Sequence, residues 1–273
     1  MQQELFHGLP AHRLTLTNGD SVVVAEQGAQ VLSWMSAGRE RLYLSLANAF
    51  DGHTALRGGV PVCFPQFNMR GHLPKHGFVR NLPWLLRPHE SSPHSLRFSL
   101  QNNQASHEHW DAAFEAQLTV SLAPKQLRIT LAVKNTGAQA WAFTGALHTY
   151  LAVRDIGQIS LEGLAGQAEW DSLTDVHGQG SSPIRIHSEF DRVYQAPTDA
   201  ICLRDQDQAL QISQSASWAN TVVWNPGPQK VMADMPAGDH ARMLCVEAAQ
   251  VFEPIAVRPG ERWQGWQQLD VLA

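Results

Sequence analysis

The chain has 273 residues, a formal net charge of -5 and 44% hydrophobic residues. That balance excludes a dedicated nucleic-acid or anionic-membrane binder, which carries a basic excess. A chain of this length buries about three quarters of the surface it exposes when unfolded, so it needs no disulfide or metal staple, and all-β folds of this size form single domains. One domain over residues 1–273 is expected.

The N-terminal MQQELFHGLP lacks the charged and apolar segments of a signal peptide, and no run approaches the ~20 apolar residues of a membrane helix. A cytoplasmic location is expected. HRLTLTN, SVVVAEQ and RLYLSL are short runs rich in strand-forming residues and predict the first strands. Then comes LRGGVPVCFPQFNMRGHLPKHGFVR, residues 56 to 80, inside a window from Asp51 to Glu90 that holds Arg57, Arg70, Lys75, Arg80 and Arg87 and no acid between its ends. Arginine forks match phosphate or carboxylate oxygens and lysine adds a point charge, so Arg57, Lys75 and Arg80, set beside Gly58, Gly59 and Gly77, are candidates for an anion site. The paired glycines would let backbone pass close to a ligand. Arg70 and Arg87 read as cations paired with distant carboxylates or pointing into water. His72 and His76 share helical spacing, but Pro74 between them argues against a metal pair. His107 and His109 read as a solvated strand edge.

After SLRFSLQ, residues 114 to 135 give the clearest pattern: Phe114, Leu118, Val120 and Leu122, then Leu127, Ile129, Leu131 and Val133, alternate with polar residues around a short turn. WAFTGALHTYL puts Trp141, Phe143, Leu147 and Leu151 on one parity and Thr144, Ala146, His148 and Tyr150 on the other, so His148 projects among small and polar groups. It reads either as a structural histidine or as a proton donor lining a cleft. QISLEGL, AICLRD, ALQISQ and TVVWN are further strands, with short helices expected around Gln229 to Met235 and Asp239 to Met243. In RMLCVEAAQV, Glu247 is a lone carboxylate in an apolar strand and must be paired or face a cleft. Burial would raise its pKa and nearby cations would lower it; a structural salt bridge to an arginine is the competing account. WQGWQQLDVL closes the chain.

Cys63, Cys202 and Cys245 lie far apart among apolar neighbours and read as reduced core thiols. GxSxG, Walker, GxGxxG and HExxH motifs are missing, which disfavours nucleotide-fuelled or zinc chemistry. Strands separated by NG, NTG, NPG and PAGD turns predict an all-β, antiparallel sandwich with a few short helices.

In order, LRGGVPVCFPQF, LPKHGFVR, ALHTYL, EFDRVY and MLCVEAAQV resemble the hexose-6-phosphate mutarotase branch of the aldose 1-epimerase superfamily. The resemblance implies that superfamily's galactose mutarotase-like β-supersandwich and the interconversion of α and β anomers of glucose 6-phosphate, without metal or cofactor. It implies His148 as general acid, Glu247 as general base and His76 as an aid near the ring oxygen. Arg57 and Arg80 match the phosphate ligands, Lys75 stands where family members vary, and Asp191 and Gln66 fall to the sugar-binding set. A small-molecule hexose 6-phosphate is then the partner, with no nucleic acid or membrane and a monomer expected. Two rival readings are a mutarotase of unphosphorylated aldoses and a noncatalytic carbohydrate-binding sandwich.

Overall fold

The structure is a computed structural model and describes residues 1–272. The alternation at 114 to 135 becomes the strands Phe114–Ala123 and Gln126–Asn135, antiparallel from Phe114↔Asn135 to Ala123↔Gln126. They sit inside an eight-stranded sheet, and Arg262–Val271 pairs along the far side of Gln126–Asn135. A second eight-stranded sheet contains Phe190–Gln195, Asn220–Asn225, Met243–Val257 and Trp141–Leu147 as successive neighbours. A five-stranded sheet is built from the first forty residues. All three contribute to one apolar core, from Trp34 and Leu14 through Phe98, Leu131 and Val246 to Leu269.

The strand Met243–Val257 positions the site. Its side chains alternate faces, so Leu244, Val246 and Ala248 enter the main core while Cys245, Ala249 and Val251 fall on the opposite face. Glu247 shares the parity of that second group. A one-residue slip would drive its carboxylate into the core and expel Leu244 and Val246, forfeiting roughly 1.5–3 kcal/mol for each displaced side chain. Register is therefore fixed by the same pattern that puts the acid outside the core.

Several expectations change. RLYLSL is not a strand: it makes isolated bridges at Leu42↔Leu151 and Leu44↔Gly58, because its alternate residues are tied to two different segments. Gln2–Phe6, Val31–Ser36, Ala168–Asp171 and Val176–Gln179 are strands that the alternation missed; Val31–Ser36 is buried on nearly every residue and shows no period of two. Residues 229 to 235 form turns rather than a helix, bracketed by Pro228 and Pro236, which restrict the backbone before them. Asp239–Arg242 is a single 3-10 turn. His107 ends a short helix, Gln104–His107, in place of a strand edge, because Asn103 and Ser106 form a reciprocal capping box. Cys202 is half-buried, whereas Cys63 and Cys245 lie in the core, and all three are free thiols. No helix among the described residues is long and apolar enough to cross a membrane.

Candidate active site

A cleft of about 230 Å³ opens on the face of the second sheet that carries Glu247. Across this sheet, Val193, Val222 and Glu247 stand in one row, and Asp191, Trp224, Cys245 and Tyr150 in the next. The partner of Met243–Val257 on its other edge is interrupted: Trp141–Leu147 ends, His148 and Thr149 leave the ladder, and Tyr150–Ala152 resumes it. Leu147↔Ala248 before the break and Tyr150↔Cys245 after it keep one register. His148 is thereby set directly across from Glu247, at a distance where cross-strand side chains meet.

They do meet, with His148 Nε2 3.4 Å from Glu247 Oε1 and the Glu247 side chain 1% exposed. Glu247 Oε2 and His148 Nδ1 are buried without a hydrogen-bond partner. The Tyr150 ring lies parallel to the imidazole of His148 at 4.7 Å. His76 packs edge-on against His148, centroids 5.3 Å apart, and its Nδ1 accepts the backbone N–H of Asn68 at 3.2 Å. That bond leaves the Nε2 of the neutral ring as a donor.

The segment from Phe64 to Arg80 reaches this place by close backbone contacts. His76 has φ +65 and Gly77 φ +70, and a Cβ on Gly77 would fall 2.0 Å from the Phe64 carbonyl oxygen. Likewise a Cβ on Gly59 would strike the Val31 carbonyl at 2.0 Å and one on Gly58 the Tyr43 carbonyl at 2.4 Å. These glycines seat chain against chain, and not against a ligand as the sequence suggested.

Of the predicted residues, Arg57, Lys75, His76, Arg80, His148, Asp191 and Glu247 all line the cleft. Gln66 does not. Its amide is spent on its own loop: Nε2 donates to the Asn68 and Leu73 carbonyls at 3.0 Å, and Oε1 accepts from Leu73 N at 3.0 Å. It shapes the loop that carries Lys75 and His76, which corrects its assignment to substrate binding. Arg57 faces the cleft but donates Nε to Asp234 Oδ1 at 2.7 Å and Nη1 to the Tyr150 hydroxyl at 3.2 Å. Arg80 donates Nη2 to the Lys75 carbonyl at 2.8 Å while its Nε is buried and unpaired.

Sequence reasoning missed other lining residues. Among the described residues Arg70 pairs with no carboxylate; its guanidinium lies 5.3 Å from the Trp170 ring and 5.1 Å from Phe252, on the cleft wall. It sits in the same acid-free window as Arg57, and that signal could have flagged it. Lys230, Met232 and Asp234 also line the cleft, with Lys230 bonded to Glu189. They belong to the segment read as a helix, where the two flanking prolines were the available hint.

The electrostatics follow from burial. Desolvation, then the charges of Arg80, Arg57 and Lys75, push His148 down to about 3. Burial, His148 and the same cations push His76 far below the ordinary histidine range. Burial raises Glu247 well above the usual carboxylate value, and Asp191 adds to the rise; the expected lowering by cations is not what governs it. Asp191 is itself raised by burial. The pair thus favours one proton on Glu247 and a neutral His148. Among the described residues one cluster has metal-ligand character: donor atoms of His148, Cys245 and Glu247 lie within 4.8 Å of one another. Burial and the Glu247 charge raise the Cys245 thiol well above its ordinary value, which opposes the thiolate that a metal would need.

A twisted antiparallel supersandwich whose exposed sheet face holds a buried histidine–carboxylate pair in a cationic cleft defines the galactose mutarotase-like class. The crystal structure of a Salmonella typhimurium protein described as a "putative mutarotase" superposes with TM-score 0.84 at 28% identity, over 99% of this chain and 95% of that one. A Synechocystis sp. PCC 6803 protein shares the fold at TM-score 0.82 and 23% identity, over 96% and 95% of the two chains. The family model for aldose 1-epimerase matches residues 12–270, and the chain belongs to that family. Among the relatives that bear the name "Putative glucose-6-phosphate 1-epimerase", two are 35% identical to this chain. One, from Cenchrus ciliaris, is 35% identical over 87% of this chain and 77% of its own length. The other, from Escherichia coli (strain K12), is 35% identical over 84% and 79%.

Proposed function

We propose that this protein is an isomerase that interconverts the α and β anomers of glucose 6-phosphate, and of related hexose 6-phosphates, by acid/base-catalysed ring opening and reclosure. The observation that carries the reading is the His148–Glu247 pair, each with one unmet polar atom, in a cleft also lined by Arg57, Lys75 and Arg80. The names of the Cenchrus ciliaris and Escherichia coli relatives point to the same substrate.

Ring opening removes the proton of the C1 hydroxyl and delivers one to the ring oxygen; no redox partner or nucleophile takes part. Glu247 takes the O1 proton while His148, assisted by the Nε2–H of His76, protonates O5. The C1–C2 bond then rotates, and closure runs with the roles reversed. After opening, Glu247 is protonated and His148 neutral, the state that burial already favours. The start of the step needs the opposite arrangement, and the phosphate supports it. Bound to the cations that depress His148, a dianion offsets their charge and lifts the imidazole toward protonation. The phosphate is therefore both a handle that orients the ring and a source of acid strength. Asp191, facing the cleft from the second strand away from that of Glu247, suits the sugar hydroxyls.

The same reading takes residues 1–273 as one domain acting as a monomer in the cytoplasm, and neither proton transfer calls for a cofactor.

The test is anomeric exchange by NMR, with α-glucose 6-phosphate, glucose and galactose in parallel. Acceleration of the phosphorylated sugar far above the others is expected. Equal acceleration of glucose would refute the phosphate role, and unchanged rates for every sugar would leave a carbohydrate-binding sandwich.

A further inference from the structure

Interrupting the strand at His148 opens a gap in the sheet that backbone groups alone do not fill. Register continuity puts Thr149 across from Val246. Val246 N–H donates to the Thr149 carbonyl at 3.1 Å, and an antiparallel ladder would return the bond from Thr149 N–H to the Val246 carbonyl. Thr149 N–H instead turns back to the Leu147 carbonyl at 3.0 Å. The Val246 carbonyl would then be buried without a partner, at a cost that folded chains avoid.

Gln267 fills the gap from the opposite sheet. It lies on Arg262–Val271 with Gly265 and Leu269 as the other buried residues of its parity, and is 1% exposed. Its Nε2 donates to the Val246 carbonyl at 3.0 Å, and its Oε1 accepts the Thr149 hydroxyl at 2.5 Å. One side chain thus grips the residue after His148 and the residue before Glu247.

We infer that Gln267 is a positioning residue for the acid/base pair: its amide stands in for the lost rung of the ladder, so that His148 can leave the sheet yet remain opposite Glu247. The inference rests on the proposed proton roles of those two residues. Gln267 touches no part of the cleft; it acts through Thr149 and Val246. An apolar residue here would satisfy the core and leave the break unsupported, which gives a physical reason for an amide in an inward-facing position.

The test compares wild type with Gln267→Met, Thr149→Val, Thr149→Ser and the double variant Thr149→Val/Gln267→Met, each assayed for urea stability, kcat and KM in anomeric exchange, and the ¹⁵N signals of His148. Methionine keeps length and removes both polar contacts. Gln267→Met should lower kcat by about 10- to 100-fold, as expected for a displacement near 1 Å, with KM for glucose 6-phosphate within about twofold. Its His148 signals should shift or broaden while those of His12, on a distant strand, stay in place. The double variant, which leaves no orphan hydroxyl, should be at least as stable as Gln267→Met yet stay equally slow, and Thr149→Ser should keep near-normal kcat. A kcat that follows stability, returning in the double variant, would overturn the inference, as would an unchanged kcat and His148 spectrum in Gln267→Met. If wild type itself fails to accelerate exchange, the proposed reaction falls, and the His148 spectrum alone then decides whether Gln267 holds the ring.

Discussion

Replacing Glu247 by glutamine keeps the volume of the side chain and removes the base. The carboxylate is 1% exposed, with Oε1 3.4 Å from His148 Nε2, and the amide can donate to that nitrogen in the same space. A positioned base contributes about 10²- to 10⁴-fold, or roughly 3–5 kcal/mol of barrier at ~1.36 kcal/mol per decade. Exchange of glucose 6-phosphate should fall by that factor, with its dissociation constant changed only a few-fold because the cleft cations are untouched. Stability gives an independent signature. Glu247 keeps its proton in the native state to a pH well above its ordinary 4.5, so above that value the native state binds more protons than the unfolded chain. Wild-type stability therefore declines with rising pH, by up to ~1.4 kcal/mol per unit from this group alone. Glutamine does not titrate, so the stability of Glu247→Gln relative to wild type should grow as pH rises through the range above the ordinary 4.5. The assays are NMR exchange spectroscopy, calorimetric binding, and urea denaturation across that range. Exchange within about tenfold of wild type would refute the base role; parallel pH dependence of the two proteins would refute the burial argument.

His148 predicts the opposite slope at lower pH. Its native value of about 3 lies below the ordinary 6.5, so the stability it contributes is present above 6.5 and lost as pH falls toward 3, at up to ~1.4 kcal/mol per unit. His148→Gln should flatten the urea midpoint between about pH 6 and 4, and an unchanged slope would count against a buried neutral imidazole. Asp234 competes with any anion for Arg57 Nε, so Asp234→Asn should bind inorganic phosphate several-fold more tightly by calorimetry; equal or weaker binding would remove Arg57 from the anion site. Gly77→Ala puts a Cβ 2.0 Å from the Phe64 carbonyl at φ +70 and should cost about 3 kcal/mol or more in urea denaturation, with loss of exchange as His76 is displaced. Near-wild-type stability would show that the loop relaxes freely.

Much of this protein was legible in its residues because the physics there is local. Strict alternation at 114 to 135 specifies two half-buried strands, and Glu247 stands out because a carboxylate in an apolar strand must have somewhere polar to face. Parity within WAFTGALHTYL put His148 on the side away from Leu147 and Leu151, which enter the core. The acid-free window marked Arg57, Lys75 and Arg80, since a local excess of one charge needs no tertiary knowledge to see. By contrast, strands buried on both faces, such as Val31–Ser36, carry no period of two and were invisible.

What only the tertiary structure decided were relations between segments far apart in sequence. The register that sets His148 opposite Glu247 joins positions 99 residues apart through the pairing of whole strands. Gln66 and Gln267 look alike as single glutamines, yet one is consumed by its own loop and the other bridges two sheets. Asp234 meets Arg57 only because a proline-bracketed segment folds over the cleft. Sequence by itself determined which groups have reason to face water or a ligand, because burial of charge is costly wherever it happens; which groups face one another depended on register and loop closure, and those are set by the packing of the entire sandwich.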